Sequence, residues 1–291
     1  MLKFKADIKT LLFLCTTTAL FFVQWHFGFH WWLYIAYLYF SVTITVIAHN
    51  HNHVPMWKND FLNHVSDYWI TLLYGFPAFV WTPTHNKNHH KFINKEGDYT
   101  ITYRVTEKNN WLSLLSYPSI SSYYQQSSVR NHLKLLWAND RTNFFIAIFQ
   151  YVALAAFIGI TMYLNWRKSL LFVVLPQQFA VFTVLIFNYI QHVYTDEESD
   201  FNHSRNFISP LTSAMLFNNG YHTAHHYRAS VHWSLLPETH EKIAAQIDPS
   251  LIEKGFWNYM IKTYFVAPFV PKYRAVNMRQ MRIEKEKMAA A

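Results

Sequence analysis

The sequence predicts an all-α membrane protein: four transmembrane helices with a cytosolic helical cap and interfacial helices. Two observations carry that prediction. The 291 residues are 52% hydrophobic and 19% aromatic but only 14% charged, against roughly 25% charged in an average soluble protein. The charges also leave three long gaps, with no Asp, Glu, Lys or Arg between Lys9 and Lys58, between Arg141 and Arg167, or between Lys168 and Asp196. A spanning helix takes about 20 apolar residues, so the first gap holds two helices and the others one each.

These spans are expected near residues 10–27, 30–48, 143–163 and 169–190 of a single domain covering 1–291. Lys3 and Lys5 before an apolar run would also suit a signal peptide. No small-residue cleavage site precedes the next apolar run, so a retained first helix is expected. Four spans bring both termini to one side of the bilayer. Of the 25 Lys and Arg, three precede the first span, nine lie between the second and third, and eleven follow the fourth. Only Arg167 and Lys168 fall on the other side. The positive-inside rule therefore places the termini and the segments 49–142 and 195–291 in the cytoplasm. The net charge of +8 reads as a belt facing anionic headgroups and acidic partners. No groove-reading motif suggests a nucleic-acid partner. The single cysteine, Cys15, lies in the first apolar run, which excludes a disulfide or thiolate metal site.

Within 49–142, the run Tyr68 to Trp81 is apolar but short and interrupted by Gly75 and Pro77. It is expected to be interfacial or re-entrant, not a fifth span. Trp111 to Tyr124 reads as a second interfacial piece. The basic tail 272–291 alternates charges and reads as a solvated helix face.

Eight of the seventeen histidines form three clusters: His49 with His53; His85, His89 and His90; His222, His225 and His226. Positions i, i+3 and i+4 share a helix face. His49 and His53 meet that condition on a continuation of the second span, up to Pro55, while His51 points about 200° from His49. His222, His225 and His226 meet it together. His85 pairs with His89, but His90 would swing about 140° from His85 on a regular helix, so it faces a second metal or the helix is irregular there. Asn188 and His192 lie four apart at the cytoplasmic end of the last span, and a histidine at a membrane helix edge is a site candidate by default. A zinc site takes four ligands, so nine histidines on one side of the membrane point to two metals; imidazole alone does not name them. His26, His30, His64, His132, His203, His232 and His240 have no clustered partner and are not assigned to the site. Asp98, Asp196 and Asp200 lie near clusters and are candidates to orient imidazole N–H groups.

The three clusters, in order, resemble the histidine boxes of the integral-membrane fatty acid desaturase family: His49-Asn50-His51-Asn52-His53, His85-Asn86-Lys87-Asn88-His89-His90 and His222-Thr223-Ala224-His225-His226. Asn188 with His192 resembles the family's further Asn and His on the fourth membrane helix. The resemblance spans roughly residues 30 to 265, with Trp81-Thr82-Pro83-Thr84 and Asn218-Asn219-Gly220-Tyr221 similar to box contexts in bacterial acyl desaturases. It implies two non-haem irons (a di-iron centre) on His49, His53, His85, His89, His90, His192, His222, His225 and His226, with Asn188 as a cofactor-binding residue and O2 as co-substrate. It also implies a narrow tunnel for the acyl chain of a lipid, acyl-CoA or acyl-carrier protein, desaturated at an unactivated methylene. The chain has neither a His-Pro-Gly-Gly haem signature nor GxGxxG. Electrons are therefore expected from a separate ferredoxin or cytochrome b5 type donor; Lys87, Lys91, Lys95 and Arg228 beside the boxes suit either docking of an acidic carrier or contacts to lipid headgroups.

Two rival readings remain at this stage. One is a di-iron hydroxylase or ketolase acting on an alkane, acyl or carotenoid substrate. The other is a histidine-rich metal transporter, against which stands the placement of the clusters at the ends of intact spans, since transport sites lie near the bilayer midplane.

Overall fold

A computed structural model describes residues 1–290. The chain is 73% helical, and its one sheet among the described residues pairs two residues of each strand, Asn206–Phe207 parallel to Ile252–Glu253. Three helical stretches are long and apolar enough to cross a membrane: Asp7–Phe27, Trp31–His53 and Arg141–His192. The chain divides into two compact units, residues 1–87 with 125–184, and residues 88–124 with 185–291.

In the first unit, the buried positions of helix Asp7–Phe27 are Asp7, Thr10, Leu14, Thr17, Phe21 and Gln24. Their alternating spacing of three and four forms one seam, and small hydroxyl residues there let helices approach closely in lipid. Ile8, Leu12 and Phe22 face outward. Gly28 ends the helix at φ 90°, a left-handed conformation a side chain would resist. Helix Trp31–His53 follows and packs against the first.

The stretch Arg141–His192 does not run straight. Asn165 leaves helical geometry at φ −164°, ψ 98°. The hydroxyls of Thr161 and Ser169 then meet at 2.8 Å, although eight residues of straight helix would separate them by about 12 Å. The chain folds back at Asn165. Lys168 donates to the Trp25 carbonyl, while the Tyr34 and Tyr37 hydroxyls donate to the carbonyls of Leu171 and Phe172, each at 2.9 Å. The Phe27–Trp31 and Asn165–Ser169 turns therefore share one end of this unit. His49 lies fifteen residues along the helix from Tyr34, about 22 Å away at the other end.

The apolar run Tyr68–Trp81 holds no helix long enough to cross a membrane. Helix Asp60–Tyr74 begins at Asn59, whose side chain accepts the Leu62 N–H, and stops at Gly75 with φ 81°. Fifteen residues reach about 22 Å, short of the roughly 30 Å apolar core. The Gln177 amide donates to the Leu72 carbonyl at 2.8 Å, and the Gln150 side-chain oxygen accepts the Phe79 N–H at 3.1 Å. A Cβ on Gly75 would fall 2.5 Å from the Gln177 Cβ. Trp111 opens a longer helix than its interfacial segment suggested, Trp111–Asn139, with Pro118 inside it.

The second unit has two buried cores, one around Tyr117, Tyr189, Phe207 and Tyr259, the other around Ala224, Leu236, Ile243 and Leu251. The tail helix Met278–Ala290 is not merely solvated. Arg279 and Arg282 both bind the Glu197 carboxylate, Arg282 at 2.9 Å. Arg282 also binds Asp196 at 2.8 Å, and the Arg279 guanidinium lies 3.7 Å from the Tyr103 ring centre.

Candidate metal centre

In the first unit, helix Trp31–His53 carries its register through the first cluster because Asn52 is fixed on several sides. Its amide donates to the carbonyls of Ala48 (3.0 Å) and Ala78 (2.9 Å). Its side-chain oxygen accepts the Thr82 hydroxyl at 3.1 Å and its carbonyl accepts the Asn86 amide at 3.0 Å. The first and second clusters are thereby stitched together, with the rings of His49, His53 and His85 4.5 to 5.2 Å apart. Trp81 stands 5.2 Å from both His49 and His85 and walls the group. His51 turns away, as its angular position requires. Its Nδ1 accepts the Met56 N–H at 3.2 Å, and its Nε2 lies 3.6 Å from Asp67. Burial pushes the Asp67 carboxyl up to about 7.

Residues Thr82–His89 form a π-helix, one of the two outcomes, an irregular helix or a second metal, that the spacing of His85 and His90 left open. Such wide turns recur at functional sites. Within the second unit His89 joins His192, and His90 pairs with His225 at 2.9 Å between Nε2 atoms.

His89, His192, His222 and His226, all buried, bring one ring nitrogen each within 4.8 Å of one another. Their Nε2 atoms approach at 3.1 Å (His89 to His192), 2.9 Å (His192 to His222) and 3.1 Å (His226 to His222). The opposite nitrogens determine what these atoms can be. His192 Nδ1 faces the His203 carbonyl at 3.0 Å, and a carbonyl only accepts, so Nδ1 carries the proton. His89 Nδ1 likewise donates to the Asp98 carboxylate at 2.8 Å. In their neutral forms both imidazoles therefore aim bare Nε2 lone pairs at each other across 3.1 Å. A cation between them reconciles that arrangement. Imidazole–metal bonds of about 2.0–2.1 Å at right angles put neighbouring nitrogens roughly 2.9 Å apart, so the donor set fits a metal. Burial, followed by the charges of His90, His222, His89 and His192, holds His226 well below the usual imidazole range, favouring the neutral ligand form.

Asp98 is built to stay ionised. Burial alone would raise its pKa, but the His89 charge and hydrogen bond, with the Thr100 hydroxyl (2.6 Å) and N–H (2.7 Å), hold it down to about 2. The Asn94 N–H adds a further bond at 2.7 Å. This cradle depends on Ile93 and Asn94 at φ 43° and 63°, a strained turn that persists only because its surroundings fix it. Of the three candidate carboxylates, only Asp98 contacts a clustered histidine here; Asp196 is drawn to Arg282.

The third cluster is held from the short strand. The Asn206 amide donates to the Thr223 hydroxyl at 2.8 Å, and its oxygen accepts the Thr223 N–H at 3.0 Å. Gly220 fits against that strand because a Cβ there would lie 2.2 Å from the Phe207 carbonyl oxygen. The Asn188 amide donates to the Tyr117 hydroxyl at 2.6 Å, and Tyr117 donates to the Thr100 carbonyl at 2.8 Å, linking Asn188 to the Asp98 cradle. His203 is buried, its ring 5.3 Å from that of His226, and burial lowers it to about 4. Sequence spacing had set it apart, since it lies eleven residues past His192 with no histidine at helical distance.

Residues 14–279 match the family model described as fatty acid desaturase. No match was found among curated proteins or among solved structures.

Proposed function

From the premise that this chain belongs to the fatty acid desaturase family, and is thus an oxidoreductase of that type in a membrane, we propose that it is an O2-dependent di-iron desaturase that introduces a double bond into a lipid acyl chain. The observation that carries the reading is the set of four buried imidazoles whose facing Nε2 atoms lie 2.9 to 3.1 Å apart and call for a cation. One iron is assigned to His89, His192, His222 and His226. The family's three-box pattern assigns the remaining box histidines, His49, His53, His85, His90 and His225, to the other iron. Asn188 is proposed as a further oxygen donor, its amide nitrogen being engaged by Tyr117.

Reduced iron supplied with O2 provides the oxidising power to take hydrogen from an unactivated methylene, which no carboxylate or hydroxyl side chain can do. The chain's own residues supply orientation. Asp98 holds the Nδ1 proton of His89 and the His203 carbonyl holds that of His192, so each Nε2 presents a lone pair and neither ring rotates freely. The acyl chain enters as a glycerolipid, acyl-CoA or acyl-carrier protein ester. Electrons come from a separate ferredoxin or cytochrome b5 type protein, docking on Lys91 and Arg228 of the second unit, where Lys95 is already paired with Glu198 at 2.9 Å.

The fold-back at Asn165 supports four spans, with Arg141–His192 crossing twice. Both hairpin turns share one end of the first unit, and only that end carries the sparse pair Arg167 and Lys168. The metal centre and termini are accordingly proposed to face the cytoplasm.

The test is expression in a host lacking desaturases, with total lipids analysed by mass spectrometry. A new alkene with about two irons per purified chain is expected from the two proposed ligand sets. An alcohol or ketone would assign oxygen insertion instead, and metal flux without any lipid change would assign transport.

A further inference from the structure

Arg205 is among the largest fully buried side chains of the protein, 1% exposed, and it makes no ion pair with a carboxylate among the described residues. Burying a charge without a counter-charge is costly, so its surroundings identify its use. Nη1 donates to the carbonyls of Ile190 (2.7 Å) and Val193 (3.1 Å), and the backbone N–H of Arg205 donates to the Gln191 carbonyl at 2.6 Å. These are carbonyls at the end of helix Leu175–His192, where the helix offers no amides to satisfy them. One residue thus takes the carbonyls on both sides of His192. The guanidinium is supported by the Tyr259 ring, 4.7 Å from its centre. A cation at a helix C-terminus is also favoured by the helix dipole.

We propose that Arg205 is a positioning residue for the metal bound by His89, His192, His222 and His226. By clamping residues 190, 191 and 193 it fixes the last helical turn, so that His192 Nε2 stays aimed into the set while Nδ1 stays on the His203 carbonyl. A neutral donor would satisfy one of these carbonyls at less desolvation cost. Both side-chain bonds leave one nitrogen, Nη1, whose two N–H groups reach two carbonyls at once, and the guanidinium keeps its charge permanently. That charge sits at the end of the helix that carries His192, where a positive charge would favour the less positive, reduced state of a metal held by that histidine. The proposal rests on the metal assignment above, and it concerns one of the two metals only.

The test is cobalt(II) titration of the purified, metal-stripped full-length protein, read by its absorption bands, followed by reductive titration of the iron-loaded form. Wild type is expected to bind two cobalt ions. Arg205→Met should keep one at wild-type affinity and bind the other about 10- to 100-fold more weakly, the usual cost of losing a residue that orients a ligand. Its iron midpoint potential should fall. Arg205→Lys, which restores the charge and one donor, should recover most of the affinity and the potential. If Arg205→Met does not fold, Tyr259→Leu removes the supporting ring and should weaken the same single cobalt ion several-fold. Two ions held at wild-type affinity in the folded variants would overturn the role of Arg205 alone. Wild type that binds no cobalt would overturn the metal assignment and this proposal with it.

Discussion

Asp98 accepts the Nδ1 proton of His89 at 2.8 Å, and both side chains are almost wholly buried, at 0% and 1% exposed. The carboxylate fixes which ring nitrogen carries the proton, and hence which one is left for a metal. Asp98→Asn should lower metal affinity about 10- to 100-fold while leaving helix content unchanged, as read by metal titration and circular dichroism. The metal-free protein should show the same bond in its acid sensitivity. A carboxyl held near 2 instead of 3.8 contributes about 2 kcal/mol. That contribution is fully present above pH about 4 and is lost as the pH falls through about 2. Thermal melts across that window should fall more steeply for wild type than for Asp98→Asn.

His49 and His51 sit one helical turn's fraction apart and should behave as opposites. His49→Ala is expected to remove a metal ligand and abolish product. His51→Ala should keep both metals but cost about 1–3 kcal/mol, because the Met56 N–H and the half-buried Asp67 lose their partner. Metal analysis alongside chemical denaturation separates the two effects; loss of metal in His51→Ala would contradict the assignment.

Gly220→Ala places a methyl group 2.2 Å from a backbone oxygen that cannot rotate away. The strand Asn206–Phe207 and the third cluster must then separate. Destabilisation of about 1–3 kcal/mol and loss of the metal on His222 and His226 are expected, measurable by melting temperature and metal content. A variant with unchanged melting temperature would show that the strand does not hold the cluster.

Arg279 and Arg282 converge on Glu197, a carboxylate 4% exposed. Replacing both with Glu should turn attraction into repulsion and free the tail helix. Limited proteolysis would then cut beyond residue 272 in the variant, where the wild-type tail resists. Equal cutting rates would mean the ion pairs do not hold it.

How much of this was legible in the sequence depended on whether it was carried by local spacing. His49 with His53, and the rejection of His51, followed from helical angles alone. The charge gaps located every long apolar helix, although the hairpin at Asn165 emerges only from Thr161 meeting Ser169. The odd spacing of His85 and His90 points either to a second metal or to an irregular helix, and Thr82–His89 is a π-helix. Contacts made by the fold itself left no comparable mark. Asp98 is no different from Asp196 by sequence, because it is a tight return through Ile93, Asn94 and Gly97, all at positive φ, that brings the first to His89. His203 acts on His192 through its backbone carbonyl, which no side-chain pattern encodes. Arg205 is by sequence one of eleven Lys and Arg after the last apolar run, and only its burial sets it apart.

The central claim is that the histidines form two metal sets, one of them His89, His192, His222 and His226. Metal analysis of the purified protein beside His192→Ala and His222→Ala tests it most directly. About two irons per chain in wild type and about one in each variant are expected if each set binds a single metal. Two irons retained in the variants, or none in wild type, would contradict the claim.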